Sequence, residues 1–364
     1  MPSPGLLEDA MNDLDREWKT ARRPSESPRK RAGGAPLAVV SVLAIAAAGC
    51  TETYDAGSNS PHGLLPVDER NPIVLVNDSE SENWQGEYAV LLANGGGPKL
   101  VGIIVGTNSN SPILEDNVAA WRNLVKAAHD GGLRNIPDPI GSNSDPLTRP
   151  ASGVIDETVA NRSEGAIAIR DAANDFSLPY RPLVVLTGGR LTDVADAYLI
   201  EPSLPDRVVV VSALGSLTST GGAMGVPNGE MDPWADTIVT ARFRYVQVSA
   251  FYDQLTDVPA ARLSDSELPA NEFTKWIAAK QPNIWDDPLA ADQVAVAAVG
   301  IPSFALEVEQ VSPAGPVGDG ANTGPALKDN PGAPGWLVRQ SDGAAATTHF
   351  WQLLLDPATF APAP

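Results

Sequence analysis

The sequence predicts an α/β fold in which helices flank a mainly parallel, open sheet, and three observations carry that reading. Short apolar runs alternate with helical patterns along most of the chain. Leu183-Val-Val-Leu-Thr-Gly-Gly-Arg-Leu-Thr-Asp-Val-Ala-Asp-Ala197 runs as buried strand, glycine turn and helix, with Leu191, Val194, Ala195 and Tyr198 at helical spacing. The 364 residues are enough to bury a full core.

Taken in order, Ile73 to Val76 is a first strand and Tyr88 to Ala93 lies in a helix. Leu100 to Val105 is a strand, followed by helices across Leu114 to Ala128 and Glu157 to Ala173. The strand near Val184 leads into its helix, for which Thr187 and Thr192 are candidate caps. Arg207 to Val211 is a strand, Pro233 to Arg242 a helix capped by Asp232, and Tyr245 to Ser249 a strand. Ala270 to Lys280 and Pro288 to Val299 read as helices. Glycine and proline between Pro302 and Pro334 predict loops, Trp336 to Arg339 a strand, and Thr347 to Leu355 a closing helix.

The amino-terminal part has a different character. An apolar run from Ala35 to Gly49 follows Arg29, Lys30 and Arg31, and is too short for a comfortable membrane span. Ala47-Ala48-Gly49-Cys50 resembles a bacterial lipobox, in which the cysteine is lipidated. The expected organisation is a signal peptide over 1–49, a lipidated Cys50 with a flexible tether to residue 71, and a folded domain over 72–364. This implies export to a bacterial cell envelope and a membrane contact through Cys50, or secretion if Cys50 is not lipidated. A single cysteine excludes an intrachain disulfide scaffold. The net charge of -20 argues against a nucleic-acid partner, because phosphate backbones need clustered Lys and Arg. Most of that acidity reads as solvated surface. Nothing supports a zinc site, a phosphate loop or a Ser-His-Asp triad, and His62, His129 and His349 read as structural or exposed.

Chemistry concentrates at the predicted carboxyl ends of strands. Asp78 follows the first strand, and Glu80, Glu82 and Glu87 crowd the next loop and helix start, a supply of hard oxygen ligands. Asn108 closes the second strand with Asn117 nine residues on, and an Asn in that place is otherwise a turn residue. Asn228-Gly-Glu-Met-Asp-Pro233 and Asp286-Asp-Pro-Leu-Ala290 lead into further helices.

In this order, the four segments resemble the inosine-uridine type nucleoside hydrolases, as a divergent member with a Rossmann-like sheet. Thr187-Gly-Gly-Arg-Leu-Thr-Asp-Val-Ala195 resembles that family's Thr-Gly-Pro-Leu-Thr-Asn-Ile-Ala, with Gly189-Arg190 in place of Pro and Asp193 in place of Asn. The resemblance implies calcium held by Asp78, Glu87, Thr187 and Asp287, with Asp78 activating the attacking water. It also implies sugar contacts from Asn108 and Asn228. Small-molecule nucleosides or ribosides would be the ligands, and a homo-oligomer the assembly.

Val76, Gly86, Val226 and Asp286 depart from the family pattern, and Thr107 replaces a Gly. Asp286 stands where many members of that family keep a His that assists the leaving base, a task left to Tyr252, to solvent or to no group. Three functions follow: an exported N-glycosyl hydrolase of nucleosides or related ribosides, a catalytically degenerate surface lipoprotein that binds a nucleoside or carbohydrate without turnover, or, behind these, a purely structural envelope protein.

Overall fold

The computed structural model describes residues 66–78, 85–108, 111–178, 180–213, 231–248, 268–284, 299–300, 302–312, 327–328 and 335–361. Its strands are β1 (Ile73–Asn77), β2 (Leu100–Val105), β3 (Pro139–Gly141), β4 (Leu183–Thr187), β5 (Val208–Ala213), β6 (Arg244–Val248), β7 (Ala305–Ser312), β8 (Leu327–Lys328) and β9 (Gly335–Ser341). The helices among the described residues are α1 (Gln85–Asn94), α2 (Leu114–Asp130), α3 (Glu164–Phe176), α4 (Thr192–Ile200), α5 (Pro233–Arg242), α6 (Glu272–Ile284) and α7 (Gly343–Leu355).

The strands form one sheet in the order β3-β2-β1-β4-β5-β6-β9-β7-β8. Pairing is parallel from β3 through β9, and β7 and β8 close the far edge antiparallel. The α/β reading of the sequence is therefore the observed fold.

Alternation along each strand feeds two cores. Ile73 and Leu75 join a cluster with α1, α2, α6 and α7, through side chains such as Tyr88, Trp121, Phe273 and Phe350. Val74 and Val76 point the other way, into a cluster with α3, α4 and α5 that includes Ile169, Val194 and Trp234. Burial on both faces explains why β4 and β5 are continuous Leu/Val runs rather than alternating ones.

Several elements differ from expectation. The helix read from Glu157 starts at Glu164, because Ser163 caps it by accepting the Ala166 N–H, and Ile155–Glu157 is only a 3-10 turn. Within the segment expected to be loops, β7 is an eight-residue strand paired with β9, and β8 adds a short edge. Neither Thr187 nor Thr192 caps α4: the Thr187 hydroxyl donates to the Gly189 carbonyl and that of Thr192 to Asp232. The helix read over Pro288 to Val299 lies mostly outside the described residues. The fold also reaches back before Pro72, since Val67 is buried and the Asn71 amide donates to the Pro182 carbonyl at 2.7 Å.

Gly86 sits where α1 presses on α2. A Cβ there would lie 2.7 Å from two ring atoms of Trp121, a side chain that is itself fully buried. Gly86→Ala should therefore lower stability by about 1–3 kcal/mol, the overpacking cost exceeding the gain of roughly 0.5–1 kcal/mol from replacing a helical glycine. Thermal unfolding checks this, and an unchanged or raised Tm would show that Trp121 gives way freely.

Candidate functional site

The strand order reverses direction between β1 and β4, and in open α/β sheets the loops leaving such a point diverge and leave a crevice at the carboxyl ends. Backbone bonds hold its walls: Gly188 N–H donates to the Val76 carbonyl at 3.0 Å and Gly106 N–H to the Asn77 carbonyl at 2.8 Å. Asp78, the residue after β1, is 2% exposed. Its N–H is bonded to Asn77 Oδ1 at 2.8 Å, and the Asn77 amide donates in turn to Gln85 Oε1 at 2.6 Å. Behind it, the Trp121 indole N–H donates to the Asp78 carbonyl at 3.3 Å. Its carboxylate faces the glycine turn, where a Cβ on Gly189 would stand 3.4 Å from Asp78 Oδ2.

Asp78, Thr107, Ser144, Gly189, Arg190 and Asp193 line a narrow cleft at this crevice. Arg190 Nη2 donates to Thr107 Oγ1 at 2.9 Å, so two residues that depart from the family pattern bridge the loops after β4 and β2. Asp193 is nearly fully buried, and its Oδ1 accepts from the hydroxyls of Ser142 at 2.8 Å and Ser163 at 2.7 Å. Burial raises its carboxyl above the ordinary carboxylate range, while bonds from Ser163, Ser142 and Ser144 pull it back.

Two more buried acids serve as anchors. Asp196 Oδ2 accepts the Ser163 N–H at 2.8 Å. Asp232 caps α5 through Ala235 N–H and also accepts from Leu147 N–H and Thr192 Oγ1. Together these carboxylates tie the long segment between β3 and α3 to α4 and α5. The sequence reads most acids as solvated surface, and helical spacing alone does not show that Asp193 and Asp196 face a loop backbone.

Of the residues expected to bind metal, Asp78 and Thr187 come together at adjacent strand ends, Val76 being the register partner of Thr187. Glu87 is fully buried in the first turn of α1, and Asp287 lies outside the described residues. The carboxylate of Asp78 and the backbone carbonyl of Thr187 are hard donors suited to calcium. No group of three His, Cys, Asp or Glu side chains forms a metal cluster among the described residues. Position 86, where the family places an aspartate, is closed to any side chain by the Trp121 ring.

Asn108 forms a turn: its Oδ1 accepts the Ser111 N–H at 2.6 Å and its N–H donates to the Ser111 carbonyl at 3.2 Å. Asn117 holds the same loop, its amide donating to the Gly106 and Ser111 carbonyls. Asn228, Val226, Tyr252, Asp286, Glu80 and Glu82 lie outside the described residues. Of the other histidines, His349 Nδ1 bonds the Tyr88 hydroxyl at 2.8 Å, and His129 Nε2 contacts the Ile136 carbonyl.

No protein-family model matches the sequence, and no curated protein does. Solved structures do. An inosine-guanosine nucleoside hydrolase superposes with a TM-score of 0.56 at 14% identity, over 78% of this chain and 98% of that one. The inosine-uridine preferring nucleoside hydrolase from Bacillus anthracis gives 0.55 at 16% identity, over 78% and 99%. The purine-preferring ribonucleoside hydrolase from Gardnerella vaginalis gives 0.52 at 17%, over 79% and 100%. At these identities the likeness establishes a nucleoside hydrolase-like fold.

A carboxyl that binds its proton more tightly when folded stabilises the fold most fully below its unfolded value, near pH ~4. That contribution is lost as the pH rises through the folded value. Asp193→Asn is neutral throughout, so its stability relative to the parent should increase from about pH 4 upward. Denaturant titrations at several pH values test this; a difference that stays flat would mean that Asp193 titrates as an ordinary carboxyl.

Proposed function

We propose that the protein is an exported hydrolase that cleaves the N-glycosidic bond of nucleosides or related ribosides, with Asp78 as the base. The observation that carries this reading is the placement of a buried carboxylate at the switch point of a nucleoside hydrolase-like sheet, beside a narrow cleft lined by Thr107, Ser144, Arg190 and Asp193. Asp78 takes a proton from water as the water oxygen bonds to the sugar C1′. The C1′–N bond breaks with its electron pair leaving on the base, which is protonated by solvent or Tyr252. Positive charge developing on the ring is stabilised by the neighbouring carboxylates.

Asp78, Glu87, Thr187 and Asp287 are the residues that would hold calcium, which when bound lowers the pKa of water and orients it. Asn108 and Asn228 would grip sugar hydroxyls, the former after release of its Ser111 turn. Export and lipidation at Cys50 rest on the sequence around residues 29–50, which lie outside the described residues.

A second reading, a surface lipoprotein that binds a nucleoside or carbohydrate without turnover, is favoured by two side-chain placements. Val76 is committed to the apolar core and Trp121 fills the space beside Gly86, so both family aspartate positions are lost to packing.

The full-length chain incubated with nucleosides and p-nitrophenyl riboside should release reducing sugar with calcium and stop with chelator. Asp78→Ala should lower turnover by ~10²-fold or more, as removal of a positioned base does. Turnover unchanged in that variant would overturn the assignment of Asp78. Nucleoside binding by calorimetry without product would establish the second reading, and neither binding nor product would overturn both.

A further inference from the structure

Cleavage of a neutral riboside gives the Arg190 guanidinium no task, yet it stands in the wall of the cleft with Asp78. Arg70, Arg170, Arg207, Arg242 and Arg339 each pair with a carboxylate, whereas Arg149, like Arg190, forms no ion pair among the described residues and lies over the Trp234 ring. Arg190 instead bonds a hydroxyl, that of Thr107, and among the described residues no carboxylate lies within ion-pair distance of it. A guanidinium has five N–H donors in a planar fork, and a single hydroxyl accepts one of them. The rest match two oxygens of a phosphoryl group, and the bond to Thr107 fixes the fork before a ligand arrives.

We infer that the cleft takes a riboside whose sugar carries a phosphoryl ester, held by Arg190 with Thr107 orienting the guanidinium. This rests on the riboside reading proposed above and narrows it. The exocyclic 5′ arm of a β-riboside lies on the same ring face as the base. A 5′-phosphoryl group therefore engages Arg190 while the opposite face of C1′ stays open to water beside Asp78.

Calorimetry on the full-length chain with inosine and with inosine 5′-monophosphate tests the inference, with calcium and again with chelator. The monophosphate should bind at least ~10-fold more tightly, the scale of a charge-assisted contact. Arg190→Gln should bring the two affinities within ~3-fold of each other, and Arg190→Lys, which keeps charge but loses the fork, should fall between. Equal affinities in the parent protein would overturn the inference and leave the riboside reading standing, with no variant needed. A preference that survives Arg190→Gln would also overturn it, by placing the anion elsewhere. Binding of neither ligand would overturn the riboside reading itself, and this inference with it.

Discussion

The parallel pairing of β1 with β4 is the constraint on which the site depends. β1 is hydrogen-bonded to β2 on one side and to β4 on the other. The chain leaves β1 over the face covered by α1 and α2, and after β3 it crosses to the face covered by α3, α4 and α5. The elements that follow β1 and β2 thus lie on one face and the helix that follows β4 on the other, while the strand ends stay locked to one another through Val76, Asn77, Gly106 and Gly188. A slip of one residue in this register would turn Val74 and Val76 from one core into the other. The position of Asp78 at the end of β1 thus depends on the packing of the sheet.

Departures from the family pattern that look independent along the chain are coupled in space. Thr107 and Arg190 are 83 residues apart and meet in a single hydrogen bond across the cleft. Gly86 and Trp121 likewise belong together, because the indole takes the volume that a side chain at 86 would need and uses its N–H to hold the Asp78 carbonyl. Both pairs adjoin Asp78: the Trp121 indole bonds its carbonyl, and Arg190 shares the lining of the cleft with it.

The legible part of this architecture is the part written in local periodicity. Ile73 to Val76, Leu100 to Val105 and Pro233 to Arg242 declare themselves by apolar spacing and by the Asp-Pro start of the helix. Strand β7 does not, because Ala-Leu-Glu-Val-Glu-Gln-Val-Ser alternates only weakly, and what makes it a strand is its distant partner β9. The short β3 has too few residues to show any period. Within the site, Asp78 and Thr187 are legible because each stands at the end of an apolar run. The roles of Asp193, Asp196 and Arg190 depend on which loop crosses above them, and local sequence carries no record of that.

The buried acids also set the electrical character of the cleft. Asp193 shares its wall with Asp78 and Arg190, and burial among serine hydroxyls shifts its carboxyl toward the neutral form. The shift disfavours the ionised form of Asp193 beside the Arg190 guanidinium in the same cleft lining. Where the family carries Asn, this chain carries an acid whose environment moves it toward an uncharged side chain. The serines act in the other direction, since their bonds favour the ionised form. With Ser142 and Ser163 both on Oδ1, Asp193 fastens the loop carrying Ser144, and so the same interaction that tunes the charge of the cleft also fixes its shape.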